Sequence, residues 1–310
     1  MRIVFMGSGD IACPALRMLA TGACGELVGV VTSPNRPRGR GRHPQPCPAG
    51  RLAAEAGLPV ISPERVREPS TVAAIAAMRP DVLVVAAYGQ FLPPALLELP
   101  PLGAINIHPS LLPRYRGAAP IQWAIASGER ETGVSIVFMT ERMDAGDIIV
   151  CERMAIGDDD TAVTLTPRLA ELGARLLARA LDAVRSGHPP RTPQQEALAT
   201  FAPKLTKEDG RIEWARSAVE IRNRIRGFQP WPGAHFHWPR RGLHLRALAA
   251  VVEPGEGPPG RVLAADAQGV RVATGAGALR LEQVQPEGRR PMSGAAFCAG
   301  YRPTAGDSFA

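Results

Sequence analysis

Asn106 and His108 stand two positions apart in the run Ile105-Asn106-Ile107-His108. If this run is a strand, both side chains leave the same face of the pleat. An amide beside an imidazole suits acyl transfer: the amide can hydrogen-bond a developing oxyanion, and the imidazole can handle a proton near neutral pH. A polar strand end with a satisfied histidine would show the same two residues. A third segment shifts the balance. Met143-Asp144-Ala145-Gly146-Asp147-Ile148 follows another apolar run and presents Asp144 near a glycine turn. A carboxylate there could face His108, orient its ring and stabilise its protonated form. Asp144 taken alone is as readily a turn former.

Two other groups of residues invite chemistry. Gly7-Ser8-Gly9-Asp10-Ile11-Ala12 fits the glycine pattern of a dinucleotide-binding turn. That pattern also needs an acidic residue after the second strand, and no Asp or Glu lies between Leu27 and Ala54. Arg36 leaves room for a 2′-phosphate, but a plain turn between strand and helix, with an anion at most, is the better reading. Arg36, Arg38, Arg40 and Arg42 place four arginines in seven positions, spaced by Gly and Pro. Such a segment builds no packed element of its own and would order on contact with phosphates. Metal is not expected: His235 and His237 are the one pair with ligand-like spacing, and they alternate as strand residues do. The five cysteines are odd in number and scattered, which reads as reduced thiols in a cytoplasmic protein.

The elements that must carry these residues follow from periodicity. Arg2–Met6, Leu27–Thr32, Pro59–Ile61, Val82–Ala86, Ala104–Ile107 and Val134–Met139 read as strands. Ile11–Thr21, Ala49–Ala56, Thr71–Met78, Ala119–Ser127 and Ala162–Ser186 read as helices. Their alternation predicts an α/β fold, a doubly wound and mostly parallel sheet with helices on both faces. Ligands of such sheets bind beyond the carboxyl ends of the strands, where Asn106 and His108 fall. Ser33–Pro48 reads as an exposed loop. Beyond residue 203, one helix (Ser217–Ile225) precedes five short alternating runs: Ala234–Trp238, Leu243–Ala250, Gly260–Ala264, Val270–Thr274 and Leu279–Val284. That pattern predicts a small β-barrel or sandwich. The expected division is a catalytic domain over 1–189, a polar, proline-bearing linker over 190–203 and a second domain over 204–310.

Charge is uneven between these parts. Up to position 189 there are 19 Arg and 18 acidic residues, net +1; from 190 onward 15 Arg, two Lys and 11 acidic residues give net +6. A basic module beside a near-neutral one suits a polyanion such as nucleic acid. An arginine-rich composition with no ligand would look the same. No apolar run reaches the roughly eighteen residues of a membrane span, and no membrane partner is expected.

Together these stretches resemble the methionyl-tRNA formyltransferases, over essentially the whole chain. The resemblance rests on Asn106-Ile107-His108, on Ser110-Leu111-Leu112-Pro113-Arg114-Tyr115-Arg116-Gly117-Ala118-Ala119-Pro120 and on Asp144-Ala145-Gly146-Asp147. Lys204-Leu205-Thr206-Lys207-Glu208-Asp209 and Pro230-Trp231-Pro232-Gly233 extend it into the tail. The Asn, His, Ser-Leu-Leu-Pro and Asp set marks the wider folate-dependent formyltransferase superfamily. The resemblance implies a Rossmann-like catalytic domain, a C-terminal OB-like β-barrel, and 10-formyltetrahydrofolate as co-substrate without a metal. It implies that Asn106 holds and polarises the formyl oxygen, that His108 assists proton transfer, and that Asp144 orients His108. Ser110, Leu111, Leu112 and Pro113 would contact the folate, with Tyr88, Gly89 and Gln90 lining its pterin pocket. Arg36, Arg38, Arg40 and Arg42 would lie in a tRNA-contacting insertion, Arg40 foremost. The acceptor implied is the amine of initiator methionyl-tRNA, and the expected state is a cytoplasmic monomer.

A formyltransferase for a nucleotide-linked amino sugar is the runner-up, which the arginine segment and the basic tail disfavour. A glycinamide-ribonucleotide formyltransferase would leave the second domain unexplained. A non-catalytic RNA-binding module would leave Asn106, His108 and Asp144 unexplained. Two departures stand out: Gly7-Ser8-Gly9-Asp10 where the family has Gly-Thr-Pro-Asp, and Arg142-Met143 where it has Gly-Leu. Neither removes a chemical group.

Overall fold

The computed structural model describes residues 1–38 and 43–310, so Arg40 and Arg42 lie outside the described residues. The chain forms two compact units. The first comprises Met1–Pro120, Glu131–Ala155 and Thr166–Pro203; the second comprises Ile121–Arg130, Ile156–Leu165 and Lys204–Ala310.

From the amino terminus the elements are β1 (Arg2–Gly7), α1 (Cys13–Ala20), β2 (Glu26–Val31), β3 (Arg36–Arg38), β4 (His43–Gln45), α2 (Pro48–Glu55), β5 (Val60–Ile61) and α3 (Pro69–Ala77). There follow β6 (Val82–Ala86), α4 (Pro94–Leu97), β7 (Ala104–His108), β8 (Arg116–Gly117), α5 (Pro120–Ala126), β9 (Glu131–Phe138), β10 (Ile148–Ala155), α6 (Ala162–Arg185) and β11 (Phe201–Ala202). Seven strands form one sheet in the order β10-β9-β7-β6-β1-β2-β5. The five strands from β7 to β5 run parallel. β9 runs antiparallel to β7, and β10 antiparallel to β9. β6 is buried along its whole length, as a central strand covered on both faces must be. Asn106 lies opposite Val85 of β6, so the carboxyl ends of β6 and β7 are neighbours.

Two expectations are corrected. The stretch Ser33–Pro48 is not all loop: β3 and β4 pair antiparallel, with Arg36 opposite Gln45 and Arg38 opposite His43. Main-chain pairing needs no apolar core, and Glu64, distant in sequence, meets Arg36 at 2.9 Å. Residues 190–203 are not a free linker but a strap on the first unit. Thr192 and Ile148 exchange two main-chain hydrogen bonds of 2.9 and 3.0 Å, and β11 pairs in parallel with β8. The division also has more than one crossing, since 121–130 and 156–165 group with the second unit.

Beyond residue 203 the second unit continues with α7 (Ala218–Gly227), started by a capping box in which Ser217 and Glu220 satisfy each other's main-chain N–H. Then come β12 (Ala234–Trp238), β13 (Leu243–Glu253), β14 (Val262–Asp266), β15 (Gly269–Ala273), β16 (Ala278–Pro286), β17 (Met292–Ser293) and α8 (Gly294–Tyr301). The antiparallel order is β12-β13-β16-β15-β14. Its two edges are joined by the carboxyl-terminal residues. Gly306 donates to the Val262 carbonyl (2.9 Å) and Val262 to that of Asp307 (2.8 Å), while Ala310 and His237 exchange two bonds of 2.7 Å. The tail thus closes the sheet into a barrel and removes its open edges. Inside, Phe309 packs against Phe236 and Trp238 with ring centroids 4.9 and 5.7 Å apart. Arg240 pins the tail by a 2.7 Å ion pair to Asp307. Burial pushes the Asp307 carboxyl up, but hydrogen bonds from Arg240 and Thr304 outweigh it and hold the group below its usual range.

Candidate active site

β7 delivers Asn106, half-buried, and His108, buried, at its carboxyl end. Asp144 arrives from the turn after β9 with φ +49°, a left-handed conformation that Asp tolerates better than most side chains. The three converge. Asn106 Nδ2 donates to Asp144 Oδ1 at 3.1 Å, and His108 Nδ1 faces Asp144 Oδ2 at 3.5 Å. The main-chain N–H of Gly117 donates to the same Oδ2 at 2.9 Å. Gly117 sits at φ +125°, and a Cβ there would collide with the Ala202 carbonyl of the strap. Only glycine lets β8 bring that N–H to the carboxylate. His108 Nε2 lies 2.9 Å from the Tyr115 carbonyl oxygen, which can only accept, so Nε2 carries a hydrogen and Nδ1 is the nitrogen left to face Asp144.

The segment after β7 is tied down from below. Ser135 of β9, opposite His108, donates to the Ser110 carbonyl (2.7 Å) and accepts from the Leu112 N–H (3.1 Å). Ser110 in turn donates to the Arg114 carbonyl at 2.6 Å. Ser110, Leu111, Leu112 and Pro113 therefore form a braced turn beside the triad. Tyr88, Gly89 and Gln90 follow β6, next to the end of β7. Gln90 accepts from the Val66 N–H at 2.8 Å, and Gly89, at φ +86°, has open space where a side chain would stand. The Tyr88 hydroxyl is buried without a hydrogen-bond partner, and desolvation pushes it up to about 12. Arg36 is outside this constellation, paired with Glu64.

Three participants were not singled out from the sequence. Gln194 Nε2 donates to the main-chain oxygens of Asp144 (2.8 Å) and Gly146 (2.7 Å), and its Oε1 accepts from Arg116 Nη2 (2.8 Å) and Nε (3.1 Å). Arg116, 2% exposed, also grips Glu196 through two hydrogen bonds of 3.0 and 3.1 Å. Those bonds, with a further one from Arg142, hold the Glu196 carboxyl below its usual range. Arg116 stands inside the motif stretch, but nothing in its spacing announces a partner some eighty residues away. The two departures also find places here: Arg142 pairs with Glu196 at 2.9 Å, and Ser8 Oγ accepts from the Ser33 N–H at 2.9 Å.

A separate cavity of ≈ 390 Å³ lies among α1, α2 and the first half of α6, lined by Asp10, Arg17, Arg51, Glu55 and Glu171 among others. None of Asn106, His108 or Asp144 lines it. Among the described residues no cluster of His, Cys, Asp or Glu is placed to hold a metal, and no helix is long and apolar enough to cross a membrane.

The formyl transferase family matches residues 1–181, and the formyl transferase C-terminal domain matches residues 204–302. A methionyl-tRNA formyltransferase of Geobacter sulfurreducens is 43% identical over 302 residues, which cover 97% of this chain and 94% of that protein. The chain belongs to the methionyl-tRNA formyltransferase family. It is an enzyme of formyl transfer. Among solved structures, HypX from Aquifex aeolicus in complex with tetrahydrofolic acid aligns with a TM-score of 0.63 at 20% identity, over 99% of this chain and 48% of that one. An N-formyltransferase from Helicobacter canadensis, in complex with folinic acid and dTDP-3-aminofucose, aligns with a TM-score of 0.61 at 16% identity, over 90% and 98%. At these identities the likeness shows the fold alone, a Rossmann-like α/β domain followed by a small β domain.

Proposed function

We propose that this formyltransferase carries the formyl group of 10-formyltetrahydrofolate to the α-amine of initiator methionyl-tRNA, and that Asn106, His108 and Asp144 perform the transfer. The observation that carries the reading is the convergence of an amide, an imidazole and a carboxylate at one sheet edge. The amine adds to the formyl carbon, and the carbonyl electrons move onto oxygen. Asn106 has two amide hydrogens. Asp144 engages one, and the other is the donor for the developing oxyanion. The proton released by the amine passes to the Asp144–His108 pair. The oxyanion then collapses, the bond from carbon to folate N10 breaks, and N10 receives a proton. The products are a formamide and tetrahydrofolate.

The donor's site is assigned to the braced Ser110–Pro113 turn and to Tyr88, Gly89 and Gln90. The open flank of Gly89 is where a flat ligand would lie, while the buried Tyr88 ring packs in the core beneath it. The acceptor is assigned to Arg36, Arg38, Arg40 and Arg42 and to the basic residues 204–310, which suit a phosphate backbone. The enzyme acts as a monomer in the cytoplasm; a dimer in size-exclusion chromatography would correct that part alone. The Helicobacter canadensis enzyme bound to dTDP-3-aminofucose resembles this chain at 16% identity, against 43% for the methionyl-tRNA formyltransferase of Geobacter sulfurreducens. Offering 10-formyltetrahydrofolate with either charged initiator tRNA or a dTDP-amino sugar decides between them. Formylated methionyl-tRNA supports the reading, and a formylated sugar nucleotide with untouched tRNA overturns it.

A further inference from the structure

We propose that Gln194 is a positioning residue that sets the Asp144 carboxylate against His108 and Asn106. The inference rests on the reading of Asp144 given above and deepens it. Asp144 occupies a left-handed conformation at φ +49°, which is unfavourable for a non-glycine residue and persists only where its surroundings impose it. On one side, Gly146 presses so closely on the Phe138 carbonyl of β9 that a Cβ would collide with it. On the other, a single amide group, Gln194 Nε2, takes the carbonyls of Asp144 and Gly146 together at 2.8 and 2.7 Å. The turn is clamped from both sides.

The acceptor end of the same amide supplies the registration. Gln194 Oε1 sits on the Arg116 guanidinium at 2.8 and 3.1 Å, and the residue after Arg116 is Gly117, whose N–H holds Asp144 Oδ2 at 2.9 Å. Gln194 therefore links the backbone that carries the carboxylate to the backbone that grips it. Glu196 keeps Arg116 in place by a bidentate contact, and the strap is anchored at both ends by main-chain pairs, Thr192 with Ile148 and β11 with β8. A displacement of the carboxylate by an ångström is enough to slow a positioned reaction about a hundredfold.

The test is kinetic. Gln194→Met keeps the size of the side chain and removes both functions. Gln194→Glu keeps an acceptor for Arg116 and loses the donors to the two carbonyls. Both should lower kcat about ten- to a hundredfold while leaving KM for donor and acceptor unchanged, with a cooperative melt retained. In the Asp144→Ala background, Gln194→Met should cost nothing more, because a residue that acts through Asp144 has nothing left to position. Wild-type kcat in either single variant, a rise in KM with kcat unchanged, or an additive loss in the double variant would overturn the inference. Wild-type turnover by Asp144→Ala alone would instead sink the reading on which it stands.

Discussion

Among the described residues of the first unit seven polar side chains are buried, and four of them, His108, Ser110, Arg116 and Ser135, belong to the hydrogen-bonded set around Asp144 and the turn after β7. In the second unit the buried polar side chains are Thr274, which ties the turn between β15 and β16, and Asp307, which ties the tail. There, fixity comes from apolar mass: Phe236, Trp238, Phe297 and Phe309 fill the barrel. The difference separates two ways of making a rigid object. Close packing of rings holds a shape, whereas a desolvated polar network holds a reactive group in one orientation and is costly wherever one partner is missing. Chemistry is expected where the second device is concentrated, which is the end of β7.

The contrast can be broken at five points. The largest effect belongs to Asp144→Ala and Asn106→Ala, each of which should reduce formylation turnover by about a hundred- to a thousandfold in steady-state assays while tRNA binding persists. Phe309→Ala should act on stability alone, lowering the free energy of unfolding by about 3–5 kcal/mol in denaturant titration, since a buried ring is lost from a closed barrel. Replacing Arg38, Arg40 and Arg42 together with Ala should raise KM for charged tRNA and flatten its salt dependence by about 0.7–0.9 log units per lost phosphate contact, with the folate KM unaffected.

Asp307→Asn should be milder. Its carboxyl lies below the usual range in the folded chain, so its ionisation stabilises the barrel above the ordinary carboxylate range. That contribution fades as pH falls through the depressed value, and the Asn variant should show a shallower acid limb in melts from neutral to low pH. Smallest is Glu64→Ala, which removes an ion pair whose two side chains are each about two-thirds exposed. It should change stability by less than about 1 kcal/mol, measured by the same titration.

Much of this architecture is legible in the sequence. Val82–Ala86 and Ala234–Trp238 show their true limits in the sequence, one as an unbroken apolar run and the other as strict alternation. β10 escaped because it is an edge strand whose residues Cys151-Glu152-Arg153 face solvent, leaving no apolar period. α8 escaped because Gly294, Ala295, Ala296 and Gly300 give it no amphipathic signal; Ser293, which caps its first turn by accepting from the Ala296 N–H, was the available clue. Asn106, His108 and Asp144 are legible in the sequence as a candidate set of residue types, and the structure brings them together. Gln194 is not legible there, because its partners lie 48 and 50 positions earlier and its neighbours are the prolines of an apparent linker. Side-chain contacts of that span leave no period, and only the folded chain displays them.

The most direct test is a crystal structure of the enzyme with a non-transferable analogue of 10-formyltetrahydrofolate. The formyl oxygen should lie about 3 Å from Asn106 Nδ2, with the formyl carbon open to an amine beside Asp144 and His108. An analogue seated instead in the cavity lined by Asp10, Arg17 and Arg51, with Asn106 untouched, would contradict that placement.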